Sequence, residues 1–123
     1  MKIKTSELTG AALDWAVSSA LGLGYRYDDK YGPMCFRPST TPRVVAWDSR
    51  PLPYSTSWQE GGPIIEIERI KLEFDGAEGF QWWGYHPKID DLEHGPTPLV
   101  AAMRCFVLSR FGDEVDVPEE FKE

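Results

Sequence analysis

The sequence predicts an α+β fold in which two main helices pack on a small antiparallel sheet, with a long irregular loop between them. Residues 10–21 and 98–111 carry apolar side chains at helical spacing, each stretch behind a threonine placed to cap it. Residues 70–85 read as strand, turn and strand around Asp75-Gly76. Residues 25–53 hold five prolines and no sustained hydrophobic period. At 123 residues, 41% of them hydrophobic and 13% aromatic, the chain suits one domain, 1–123, with a core that needs no staple.

Met1 to Thr5 is expected as a short edge strand. The first helix follows Thr9, with Leu13, Ala16, Val17, Ala20 and Leu21 on one face and Gly22 and Gly24 ending it. Trp15 lies at the margin of that face. Tyr25 to Pro33 reads as a polar-aromatic loop, and only Arg43 to Trp47 looks like a strand before residue 54. Gly61-Gly62-Pro63 is then expected to turn the chain into one or two helical turns, because glycine frees the backbone and proline suits a helix start. Apolar residues switch parity near Arg69, so the strand begins only at Ile70 and runs to Phe74. Phe80 to Tyr85 is the return strand. Trp82 and Trp83 must point to opposite faces of it, which puts one of them outside the core.

Pro87 to Glu93 reads as a solvated acidic loop. A second Gly-Pro element, Gly95-Pro96-Thr97-Pro98, opens the last helix with Thr97 as N-cap and Pro98 at its first position. That helix runs to Phe111 and Gly112, and its broad apolar face is expected at the centre of the core. In the acidic tail from Glu114, Val115 and Val117 are placed to dock.

A net charge of −7 argues against polymeric nucleic acid, whose binding rests on neutralising phosphates. It leaves room for a small phosphorylated ligand, which a few amides and an arginine can hold. No apolar run is long enough to span a membrane, and no secretory leader is legible, so a cytoplasmic protein is expected. Cys35 and Cys105 form no close-spaced set and are expected to be reduced thiols. His86 and His94 flank Asp90, Asp91 and Glu93, but their spacing matches no standard metal site, so neither a metal nor a cofactor is expected.

The candidate site is Tyr54-Ser55-Thr56-x-Trp58, where hydroxyls and flat aromatic faces precede the first Gly-Pro element. This mixture suits a planar ring stacked on an aromatic, with oxygens held by hydroxyls and amides. Gly61, Gly62 and Thr97 enter because helix N-termini offer unpaired N–H groups. Arg104 is placed either to reach an anion there or to pair with Asp14 or Glu66. The plain alternative is that Tyr54 and Trp58 pack over the sheet and Ser55 caps a turn.

Three blocks of the chain share a further property. Leu8-Thr9-Gly10-Ala11-Ala12-Leu13-Asp14-Trp15-Ala16-Val17 resembles the opening of the NinX-like family of small phage proteins. Tyr54 to Trp58 with Gly61 to Ile65, and Gly95 to Arg104 with Gly112 to Val115, follow in the same order and spacing as in that family. The resemblance leaves residues 22–53 and 75–94 without a matching pattern. It implies a phage or prophage accessory protein in the host cytosol, and no catalytic residue transfers with it.

Three function classes remain, in this order. The first is a non-enzymatic accessory protein that binds a small nucleotide-like or phosphorylated molecule, with sequestration of a host immune signal as one form. A homo-oligomer with pockets between subunits would serve that role. The second is a protein-interaction module that inhibits a host enzyme through exposed aromatics. The third is a nucleotide-processing enzyme using His86 or His94, ranked last because no nucleophile is paired with either.

Overall fold

The structure is a computed structural model that describes residues 1–37, 46–76 and 81–121. Its centre is helix α3, Pro98–Phe111, in which every residue from Leu99 to Leu108 is buried. Thr97 caps it as expected, its Oγ1 accepting the Val100 N–H at 3.1 Å. Gly112 ends it with φ of 80°, a conformation that glycine takes without strain.

Everything else packs around α3. Helix α1, Gly10–Ala20, lays Ala12, Leu13, Ala16 and Val17 against it in one apolar cluster with Met103, Phe106 and Val107. A two-stranded sheet joins the chain's two ends. Strand β1, Lys2–Lys4, runs antiparallel to the late segment Glu114–Asp116, with Ile3 opposite Val115. Val115 and Val117 do dock there, and Phe121 is buried beside them. Trp15 is half-buried at the edge, stacked on Phe121 with ring centres 6.4 Å apart.

The expected loop at 25–33 is overturned. Tyr25–Asp28 (β2) and Gly32–Arg37 (β3) form an antiparallel hairpin, and Ala46–Asp48 (β4) pairs with the far half of β3. Asp28 makes the turn, its Oδ1 accepting the N–H groups of Lys30 at 2.8 Å and Tyr31 at 3.0 Å. Pro33 is tolerated because its missing N–H falls where β3 has only β2 beside it. The part of the expected strand at 43–45 lies outside the described residues, as do Phe80 and the prolines at 38 and 42.

A third helix replaces the expected turn. Helix α2, Trp58–Glu68, runs straight through Gly61-Gly62-Pro63, so the two-helix, one-sheet arrangement is corrected to three α-helices and three small antiparallel sheets among the described residues. Pro63 removes one bond to the Gln59 carbonyl, but both residues are exposed, so the gap is on the solvent side. Gly61 is inside a helix for a packing reason. A Cβ there would overlap the Tyr54 carbonyl oxygen and come within 2.7 Å of Leu99 Cδ2. Gly95 behaves alike, since a Cβ there would lie 2.7 Å from the Ala101 nitrogen on α3. Neither glycine has positive φ. The first Gly-Pro element therefore serves close approach rather than turning, while the second both admits α3 and bends the chain into it.

α2 stops at Arg69, which adopts φ of 58° and ψ of 41°. Ile70 N–H donates to the Ile65 carbonyl at 3.1 Å and Arg69 N–H to Glu66 at 3.3 Å, a six-residue cap that accounts for the parity switch. Strands β5 (Lys71–Asp75) and β6 (Gln81–His86) then form the expected hairpin. The acidic loop expected over 87–93 is a tight turn followed by a strand, β7 (Asp91–Gly95), paired with β6; the β1 partner Glu114–Asp116 is β8. Glycine at 84 and 95 brings this sheet onto α3, where a larger residue would meet Ala101. Trp82 and Trp83 do point apart: Trp82 pairs across with Phe74 and Gly95, Trp83 with Glu73 and His94.

Candidate functional site

The Tyr54–Trp58 segment reaches the N-terminus of α3 through a short turn. Pro53 carbonyl accepts the N–H groups of Thr56 at 3.2 Å and Ser57 at 2.9 Å, and the Ser57 carbonyl then accepts Gly61 N–H to begin α2. The turn is tied down from below. Asp14, buried in the middle of α1, accepts the Ser55 N–H on Oδ1 at 2.8 Å. Sequence reasoning overlooked this role, although a carboxylate beside Leu13 and Val17 on an apolar face signals a buried donor nearby.

Ser55 is 2% exposed, and its Oγ has no hydrogen-bond partner among the described residues. Such a group is uncommon, because burying a hydroxyl unpaired opposes folding by about 1–3 kcal/mol. Ser55 lines a cavity of about 260 Å³ together with Thr56 and Trp58 on one side and Thr97, Pro98, Leu99 and Val100 on the other. Thr56 is exposed, and Trp58 is 55% exposed, leaving an indole face open at the rim. The first turn of α3 contributes little free N–H. Pro98 has none, Val100 donates to Thr97 Oγ1, and Ala101 donates to the Thr97 carbonyl at 3.0 Å. Leu99 N–H remains.

Four of the eight expected site residues thus meet at this cavity: Ser55, Thr56, Trp58 and Thr97. The other four stand elsewhere. Tyr54 turns into the core, where burial, followed by the charges of Glu60 and Asp14, pushes its hydroxyl up to about 12. Gly61 admits α2 to the Tyr54 carbonyl and Leu99, and Gly62 sits beside the Trp58 ring. Arg104 is buried, and its Nε and Nη1 donate to the carbonyls of Leu8 at 2.8 Å and His94 at 2.9 Å. It makes no ion pair with Asp14 or Glu66; it clamps two chain segments to α3. Burial lowers its pKa, and the charge of Glu93 opposes that shift.

The expected solvated His/acid loop is corrected as well. His86 is 1% exposed, its Nδ1 accepts Lys88 N–H at 3.2 Å, and its Nε2 lies 2.9 Å from Glu68 Oε1. With Nδ1 accepting, the proton sits on Nε2 and donates to Glu68. Arg110 holds the other Glu68 oxygen at 3.2 Å. His86 has no nitrogen left for a substrate. Glu93 is buried too, with burial raising its pKa against opposing contributions from His94 and Arg104. Cys35 and Cys105 are unpaired and buried, and burial lifts their thiols to about 11 and about 12. Among the described residues no group of three His, Cys, Asp or Glu side chains is arranged to hold a metal. No described helix is long and apolar enough to cross a membrane.

A family model described as Bacteriophage P22, NinX matches residues 4–110. The chain belongs to the P22 NinX family. No curated protein matches it. The NinX match runs through both Gly-Pro elements and every residue lining the cavity. Its span also takes in residues 22–53 and 75–94, which hold the β2–β3 hairpin and most of β7.

Proposed function

We propose that this NinX-family protein is a non-enzymatic phage accessory protein that binds a small nucleotide-like or phosphorylated molecule between Trp58 and the start of α3. One form of the role is sequestration of a host immune signal. The observation that carries the reading is the buried, unpartnered hydroxyl of Ser55, a residue that lines a cavity with an open indole at its rim. A polar group kept dry and unpaired is a destabilising arrangement that a bound ligand relieves. The indole supplies the stacking face, which for a base is worth about 1–3 kcal/mol. Catalysis through His86 is the weakest of the three readings, because both of its ring nitrogens are already engaged.

The test is thermal unfolding with mononucleotides, cyclic dinucleotides and linear oligonucleotides, followed by denaturation and recovery of the ligand. A ligand at a hundred times its Kd raises stability by about 2.7 kcal/mol, which in a domain of this size is roughly 10 °C. Recovery of the ligand unchanged, with the shift lost in Trp58→Ala, supports the reading. Conversion of the ligand, or no shift with any member of the panel, overturns it.

The interaction-module reading has its own support in Tyr27 and Tyr31, which are 68% and 66% exposed on the β2–β3 hairpin. A host protein captured by the wild type and lost in a Tyr27→Ser, Tyr31→Ser double variant would favour it. Size-exclusion chromatography of the free protein tests the accompanying proposal of a homo-oligomer.

A further inference from the structure

We infer that the cavity selects a planar ring carrying one polar group and at most one negative charge, that is a nucleobase, nucleoside or single phosphate ester, and discriminates against polyphosphates. This rests on the reading of the cavity as a ligand site and narrows the class of ligand. Its basis is an inventory of what the walls can donate.

A helix N-terminus that cradles a polyphosphate does so with several free N–H groups and nearby cations. Here the proline at 98 removes one N–H and the Thr97 side chain takes that of Val100, so in the first turn of α3 the Leu99 N–H is left. The side-chain donors of the opposite wall are Ser55, Thr56 at the exposed rim and the Trp58 indole N–H, none of them charged. No Lys or Arg is among the described residues of the wall. Arg104, the cation placed on the same helix, is buried and turned onto the Leu8 and His94 carbonyls.

Charge and size point the same way. The chain carries −7, and Glu60 stands in the first turn of α2 two residues from Trp58. Each added phosphate therefore brings repulsion with no cation to offset it. The cavity of about 260 Å³ is below the roughly 300–1,000 Å³ of sites that enclose drug-sized ligands. It has room for a ring and its first substituent, with the remainder in solvent.

Isothermal titration with adenosine, AMP, ADP and ATP, and with the guanosine series, at one ionic strength and without magnesium, separates the possibilities. The expected order is nucleoside or monophosphate tightest, with Kd rising at least threefold for each further phosphate. The Ser55→Ala variant, checked for folding by circular dichroism, is expected to weaken the tightest member about tenfold. If the triphosphate binds ten times more tightly than the nucleoside, the inference is overturned and the ligand site stands. If no member of either series binds, the ligand site itself is overturned, and the selectivity with it.

Discussion

Gly61→Ala is expected to destabilise the protein, against the usual rule for a glycine inside a helix. Replacing glycine by alanine at such a position normally gains about 1 kcal/mol of helix propensity. Here the new methyl group overlaps the Tyr54 carbonyl oxygen and lies 2.7 Å from Leu99 Cδ2. Leu99 is 4% exposed and cannot swing away, and the Tyr54 oxygen belongs to the backbone of a turn fixed at both ends. Overpacking of this kind opposes folding by about 1–3 kcal/mol. Set against the propensity gain, this leaves a net loss of up to about 2 kcal/mol, a fall in Tm of up to roughly 8 °C. Urea unfolding followed by the fluorescence of the five tryptophans would measure it. Gly62→Ala is the neighbouring control. Its methyl would meet only Trp58 Cε3 at 3.9 Å, while its position before Pro63 offsets the propensity gain, so it is expected within about 0.5 kcal/mol of wild type. A Gly61→Ala protein as stable as wild type, or more so, would refute the claim that this glycine is there for the α2–α3 approach.

Other substitutions read different parts of the structure. Ser55→Ala removes a buried hydroxyl that has no partner, so thermal unfolding is expected to show the free protein about 1 kcal/mol more stable while ligand binding weakens; a destabilised variant would mean that the hydroxyl is satisfied. Arg69→Gly relieves a left-handed residue at the end of α2 and is expected to add about 1 kcal/mol in the same assay, with an unchanged or lower midpoint contradicting that assignment. For Glu68, burial pushes the carboxyl up, but the His86 hydrogen bond and the Arg110 charge prevail and hold it below its ordinary 4.5. A carboxylate depressed in this way stabilises the fold above its unfolded pKa and loses that contribution as pH falls through the folded value. Glu68→Gln is therefore expected to be less stable than wild type at pH 7, with the difference shrinking below about pH 4.5; a constant difference across that range would remove the ion pair from the account.

Local signals carried much of the fold. Thr97 and Pro98 mark the start of α3 through side-chain and ring chemistry that operates before any tertiary contact forms, and the parity switch at Arg69 records a real helix end. The Gly-Gly-Pro element misled because a glycine needed for closeness to Tyr54 and Leu99 looks in sequence like a glycine needed for a turn. Asp91 to Gly95 misled for a related reason. Aspartate, glutamate and glycine are poor strand formers, and only pairing with β6 and contact with α3 hold them extended. The candidate site was half legible. Hydroxyls and an indole before a helix named Ser55, Thr56, Trp58 and Thr97, whereas Arg104 was misread because main-chain carbonyls leave no mark in a sequence.

The position of α3 along the chain has a consequence for synthesis. Residues 1–97 leave the ribosome before the helix they surround exists, since α3 begins at Pro98 and is buried from Leu99 to Leu108. Until then the apolar face of α1 and the inner face of the β5–β6–β7 sheet have nothing to cover them. Domains of this kind condense late and as a unit, and the emerging chain is exposed to chaperones and proteases for most of its translation. A ribosome arrested near residue 95 should therefore carry a protease-sensitive chain, and one that has extruded β8 a resistant one.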